Sequence, residues 1–137
     1  AVDVSTPRLT GKSLADAQSA LSKSNLGFRT IGSGDTVTSQ IPAAGAPVPG
    51  GSTVILYLGD AVPQEKGIVP DVTGLNYEAA RKRLESAGFF MRASGVSTYY
   101  GNSTTAERQS VAGGDVAAIG TVVDVRFFNV VEDGYVG

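Results

Sequence analysis

Apolar residues recur along this chain first at a helical period and then at a period of two, and the whole pattern occurs twice. Leu14, Ala17 and Leu21 stand at i, i+3 and i+7, with Asp16, Ser19 and Lys23 off that stripe, which is the spacing of an amphipathic helix. Tyr77, Ala80 and Leu84 repeat the spacing, with Arg81, Lys82 and Glu85 off the stripe. Ser13 with Asp16, and Asn76 in the second copy, supply side-chain oxygens for the first helical amides, and Gly88 suits a left-handed C-terminal position. Helices are therefore expected over residues 13–24 and 76–87. Downstream, Val54, Leu56 and Leu58 match Val123, Val125 and Phe127 at a spacing of two, and Ile55 and Tyr57 match Asp124 and Arg126. The first set is expected to face a core and the second to face outward. Phe28 to Ile31 and Thr36 to Ile41 read as two further strands, joined by the hairpin turn Gly32-Ser33-Gly34-Asp35.

The repetition is positional. VPDVTGLNYEAARKRLESAGF from Val69 lies on TPRLTGKSLADAQSALSKSNLGF from Thr6 so that Pro7 pairs with Pro70 and Thr10-Gly11 with Thr73-Gly74. QSVAGGDVAAIGTVVDVRF from Gln109 lies on QIPAAGAPVPGGSTVILYL from Gln40, keeping Gln, Gly45 with Gly114, and Gly51 with Gly120 in step. Each unit is thus a Pro-containing extended entry, a helix and three short strands. The expected fold class is α+β, two tandem repeats, each with one α-helix packed on a three-stranded antiparallel β-sheet. Repeat one is placed at residues 1–60, a polar, proline-bearing linker at 61–68, repeat two at 69–130 and a short acidic tail at 131–137. Each repeat is near the lower size limit for a core without disulfides.

Composition narrows the chemistry. Of 137 residues, none is Cys or His, which removes disulfides, thiol nucleophiles, imidazole bases and the usual transition-metal ligands. Lys and Arg (11) nearly balance Asp and Glu (13), leaving no positive field to neutralise a phosphate backbone, so nucleic acid is not an expected partner. The one basic run, Arg81-Lys82-Arg83, is flanked by Glu78 and Glu85 one turn away and reads as a solvated helix face. No apolar run is long enough to cross a bilayer, so no transmembrane segment is expected in this stretch.

The two half-motifs, VPDVTGLNYEAARKRLESAGF and the Q-x-P-x-x-G-x-x-V-x-x-G-S-T-V pattern of the first copy with its final strand, resemble PASTA domains. Such domains lie on the outer face of Gram-positive bacteria, C-terminal to the transpeptidase of class B penicillin-binding proteins or in strings outside Ser/Thr kinases. The resemblance implies an extracytoplasmic location on the cell-surface side, with anchoring through a segment outside this stretch. It also implies association with peptidoglycan fragments or cell-wall precursors, or with cell-division and cell-wall synthesis proteins. Two copies and the IGSGDTVTSQIPAAGAPVPGGSTVILYLGD stretch favour a parent resembling a sporulation- or division-type penicillin-binding protein over a kinase. The second copy departs from the pattern with Val111 in place of Pro42 and a longer polar connection around Tyr99.

No catalytic residues, cofactor or metal are expected. Gly11-Lys12-Ser13 is not a phosphate-binding loop, because Thr6 stands where the first glycine is needed. A transpeptidase would require Ser-x-x-Lys, Ser-x-Asn and Lys-Thr-Gly elements, and none occurs, so any link to β-lactams would run through a neighbouring domain or through non-covalent contact. The candidate ligand-contact residues are Tyr99, Tyr100, Arg108 and Arg126. Aromatic faces stack on sugar rings, and arginine forks pair with the carboxylates of stem peptides. The competing expectation is that the tyrosines cover a sheet edge or pack against the neighbouring repeat. Two functions follow: a non-catalytic module binding peptidoglycan or muropeptide and so localising an attached transpeptidase, or a structural domain packing on its own catalytic domain or a divisome partner.

Overall fold

In a computed structural model, residues 3–95 and 104–129 are described. The chain divides into two compact units, Ala1–Glu65 and Lys66–Gly137. In the first unit, β1 (Asp3–Ser5) precedes α1 (Leu14–Lys23), then β2 (Gly27–Ile31), β3 (Val37–Ile41), β4 (Pro47–Pro49) and β5 (Thr53–Leu58). The second runs β6 (Lys66–Ile68), α2 (Tyr77–Ser86), β7 (Phe90–Gly95), β8 (Thr104–Gln109), β9 (Val116–Ala118) and β10 (Val122–Asn129). Both helices begin where the caps place them. Ser13 Oγ accepts from the Asp16 amide at 3.1 Å, and Asn76 Oδ1 accepts from the Ala79 amide at 2.9 Å. Gly88 takes the left-handed conformation after α2, and its counterpart Asn25 does the same after α1.

Each unit is a helix on a three-stranded sheet, and the sheets are mixed, not antiparallel throughout. Strand order is β2-β5-β3 and β7-β10-β8, with β5 parallel to β2 and antiparallel to β3, and β10 parallel to β7 and antiparallel to β8. The last strand is the most apolar of each set, and it enters the centre of the sheet, between the two strands that precede it. Those two run in opposite directions, so the inserted strand must be parallel to one of them. For the same reason Gly32 to Asp35 is not a hairpin turn, because β2 and β3 are not neighbours. The turn passes over the end of β5 instead: a methyl on Gly32 would stand 2.5 Å from the Leu58 carbonyl oxygen. The entry strands add small two-stranded ribbons, β1 with β4 and β6 with β9.

The cores lie between helix and sheet. Ala17, Leu21, Val54, Leu56 and Leu58 are buried in the first unit, and Ala80, Leu84, Val123, Val125 and Phe127 in the second. Leu14 and Tyr77, expected in the same cores, are only half-buried, because they open their helices at the edge of the covered face. The Tyr77 ring leans on Phe127 at a centroid distance of 5.7 Å. Expectation and structure part on the outer face. Asp124 and Arg126 are exposed as their alternation requires, whereas Ile55 and Tyr57 are 2% and 3% exposed. The chain leaving β5 turns back here: the Ala61 amide donates to the Leu58 carbonyl at 3.1 Å, and Pro63 lines a broad hollow with Ser39 and Ile41. β5 is therefore apolar on both faces because both are covered, at about 1.5–3 kcal/mol for each large side chain removed from water.

One partly buried polar device is common to both units. Gln40 Oε1 accepts from the amides of Leu9 and Thr10 at 2.7 and 3.2 Å, while Nε2 donates to the carbonyls of Pro7 and Pro42 at 2.9 and 3.0 Å. Gln109 Oε1 accepts from Val72 at 2.8 Å, and Nε2 donates to Pro70 and Val111 at 2.9 and 2.8 Å. Each glutamine clamps the proline-containing entry segment to the sheet, satisfying backbone groups that have no ladder partner.

Candidate binding site

Residues facing each other across paired strands project from the same side of a sheet. On the outer side of the second unit, Arg92 faces Asp124 and Ser94 faces Arg126 across the parallel pair, and Arg108 faces Arg126 across the antiparallel one. Ser110 follows at the end of β8, where its amide donates to the Asp124 carbonyl at 2.8 Å and its hydroxyl accepts from the Asp124 amide at 2.9 Å. Ser94, Arg108, Gln109, Ser110, Asp124 and Arg126 line a shallow hollow of about 210 Å3.

The charges are only partly matched. Arg92 Nη1 lies 3.7 Å from Asp124 Oδ1, and Arg126 Nε lies 3.9 Å from Glu107 Oε1. These are long contacts between side chains that are 38–54% exposed, so each contributes at most a few tenths of a kcal/mol. At the rim of the unit, the Asp71 carboxylate is held below its ordinary value by a hydrogen bond from the Thr73 hydroxyl at 2.7 Å and then by the Thr73 amide at 3.0 Å. Across from it, Gly113 approaches so closely that a methyl there would stand 2.5 Å from Asp71 Cβ, and the first unit has Ala44 at the matching position. Among the described residues, no group of three or more acidic side chains is placed to hold a metal ion, and no helix is long and apolar enough to cross a membrane.

Of the four candidates from the sequence, Arg108 and Arg126 come together on this face. Tyr99 and Tyr100 lie outside the described residues. Ser94, Gln109, Ser110 and Asp124 complete the hollow and were not among the candidates from the sequence. Asp124 carried a signal, since it shares the outward period of Arg126. Ser94 carried none, because its place beside Arg126 depends on the parallel pairing of β7 with β10.

The matching face of the first unit has different chemistry. Arg29 and Ile41 flank Ile55 there, and Ile31 and Ser39 flank Tyr57. Where the second unit has Asp124, Arg126 and Arg108, the first has Ile55, Tyr57 and Ser39.

The chain is similar to several known proteins. The chain is similar to the serine/threonine-protein kinase PknB of Mycobacterium leprae (strain TN), 36% identical over 104 residues, covering 70% of this chain and 16% of that protein. PknB of Mycobacterium tuberculosis (strain ATCC 25618 / H37Rv) is 33% identical over 104 residues with the same coverage. The chain thus spans about a sixth of the length of these relatives. Among solved structures it is similar to penicillin-binding protein 2X from Streptococcus thermophilus, with 17% identity, a TM-score of 0.38 and coverage of 93% of this chain and 17% of that one. It is also similar to the three-PASTA-domain of a Ser/Thr kinase from Staphylococcus aureus, with 22% identity, a TM-score of 0.35 and coverage of 89% and 64%. The PASTA domain family matches twice, at residues 4–60 and 67–129, so the chain belongs to the PASTA domain family as a tandem of two such domains, a non-catalytic module.

Proposed function

We propose that this tandem is an extracytoplasmic module that binds peptidoglycan or muropeptide and so localises the enzyme attached to it, a cell-wall transpeptidase of the penicillin-binding-protein type or a Ser/Thr kinase. Membership of the PASTA family carries the reading. The open, charged outer face of the second unit supports it by supplying groups suited to peptide carboxylates. Arg108 and Arg126 are the proposed contacts for the peptide, and Tyr99 and Tyr100 the proposed stacking surface for sugar rings. The second unit is the proposed wall-facing one.

The experiment is a pull-down on purified peptidoglycan with the two compact units made separately, residues 1–65 and 66–137. The second unit is expected to sediment with the wall and the first to stay in solution. Tyr99→Ala with Tyr100→Ala is expected to weaken binding about fivefold or more if stacking contributes roughly 1 kcal/mol. Equal binding by both units would defeat the assignment to the second. A second reading, a structural domain that docks on its own catalytic domain or on a division protein, is favoured by the shallowness of the hollow. It becomes the better account if neither unit binds wall material.

A further inference from the structure

Two like charges placed directly opposite each other on antiparallel strands destabilise the pair. Arg108 on β8 and Arg126 on β10 hold such positions. Arg126 has Glu107 beside it at 3.9 Å, and Asp124 is drawn towards Arg92 at 3.7 Å, but among the described residues Arg108 has no acidic partner. Among the described residues that line the hollow, two guanidinium groups, Arg108 and Arg126, therefore stand against one carboxylate, Asp124. Two serine hydroxyls, Ser94 and Ser110, line the same hollow as potential donors. The hollow, about 210 Å3 and open to solvent, has room for one small anionic group on a short stem.

We propose that the cross-strand pair Arg108 and Arg126 is a seat for a single oxyanion, a carboxylate or a phosphate, bound once per chain and only by the second unit. Guanidinium groups are suited to either, since both anions offer paired oxygens to a planar fork. The first unit lacks the seat because Ser39 and Tyr57 occupy the matching positions. Placing one anion between the two arginines replaces a repulsion with two attractions, so the ligand stabilises the unit that binds it. The proposal deepens the wall-binding reading by naming the chemical group that this face takes, and it rests on that reading for the biological source of the group.

Thermal melting of the full chain tests it, in chloride buffer and at matched ionic strength with inorganic phosphate, with N-acetyl-D-alanyl-D-alanine, or with the C-terminal amide of that dipeptide. Phosphate, the free dipeptide or both should raise the melting temperature, and the amide should not. A response to the dipeptide alone identifies a peptide carboxylate as the source, and a response to phosphate alone identifies a phosphoryl group. Arg108→Glu places an opposite charge across from Arg126, so this variant should melt about 1–5 °C above the wild type in chloride and no longer respond to either anion. Arg108→Gln should shift in the same direction by less and should also be unresponsive. The seat is refuted if Arg108→Glu melts at or below the wild type, if neither anion shifts the wild type, or if the shifts survive in both variants. Wall binding that persists undiminished in Arg108→Glu would overturn the seat and leave the wall-binding reading standing. A wild-type chain that responds to phosphate but does not bind wall would do the reverse.

Discussion

The outer faces of the two sheets share a backbone and differ in nearly every side chain. In the first unit, Ile31, Ile41, Ile55 and Tyr57 make that face largely apolar, beside Arg29 and Ser39, and the central pair is buried with Pro63 at the edge. In the second, Arg92, Asp124, Arg126 and Arg108 make it charged and leave it open to water. The inner faces do not diverge this way, because Val54, Leu56 and Leu58 and their counterparts Val123, Val125 and Phe127 all meet a helix. A helix-covered face fixes residue type by its need for a core, whereas the opposite face takes whatever its surroundings demand. The outer face is buried at its centre in one copy and exposed in the other, and that difference motivates the proposed assignment of binding to the second unit.

Exchanging the two chemistries should expose the asymmetry of the outer faces. Ile55→Asp places a carboxylate where a side chain is 2% exposed, and a loss of about 3 kcal/mol or more is expected for the first unit by chemical denaturation. The reciprocal Asp124→Ile, at a site whose side chain is 54% exposed, is expected to stay within about 0.5 kcal/mol of the wild type. Equal losses from both would mean that the faces are equivalent after all.

A smaller effect sharpens the comparison from the other direction, since it should be alike in both units. Gln40→Ala and Gln109→Ala each strip the entry segment of its hydrogen-bond partners, and each is expected to cost about 1–3 kcal/mol in its own unit. A marked disparity between them would show that the entry segments are held by different means.

Much of this was legible in the sequence, and the failures have a common physical origin. Helix caps depend on side chains within three residues of one another, so Ser13 and Asn76 announced both helices. Strand order depends on which segments meet across long separations, so the insertion of β5 between β2 and β3 left no local mark, and an antiparallel sheet with a hairpin was the simpler expectation. The burial of Ile55 and Tyr57 did leave a mark. Val54-Ile55-Leu56-Tyr57-Leu58 is an unbroken apolar run, which signals a strand covered on both faces, while Val123-Asp124-Val125-Arg126-Phe127 alternates and signals a strand covered on one. Aligning the two copies imposed the alternation of the second on the first. At the candidate site, the outward period exposed Arg126, but its pairing with Arg108 required a register that includes a bulge between Arg126 and Phe127. The clamping glutamines were visible only as a residue kept in step, since nothing local distinguishes an amide that bonds a distant segment from one that faces water.

The most direct test follows the amide resonances of the full, isotope-labelled chain by NMR during titration with soluble muropeptide bearing a free stem-peptide carboxylate. Shifts are predicted to cluster at Arg92 and Ser94 on β7, Arg108 to Ser110 at the end of β8, and Asp124 and Arg126 on β10, with β2, β3 and β5 unmoved. Shifts centred on Ile41, Ile55 and Tyr57 of the first unit, or none in either unit at saturating ligand, would contradict the account.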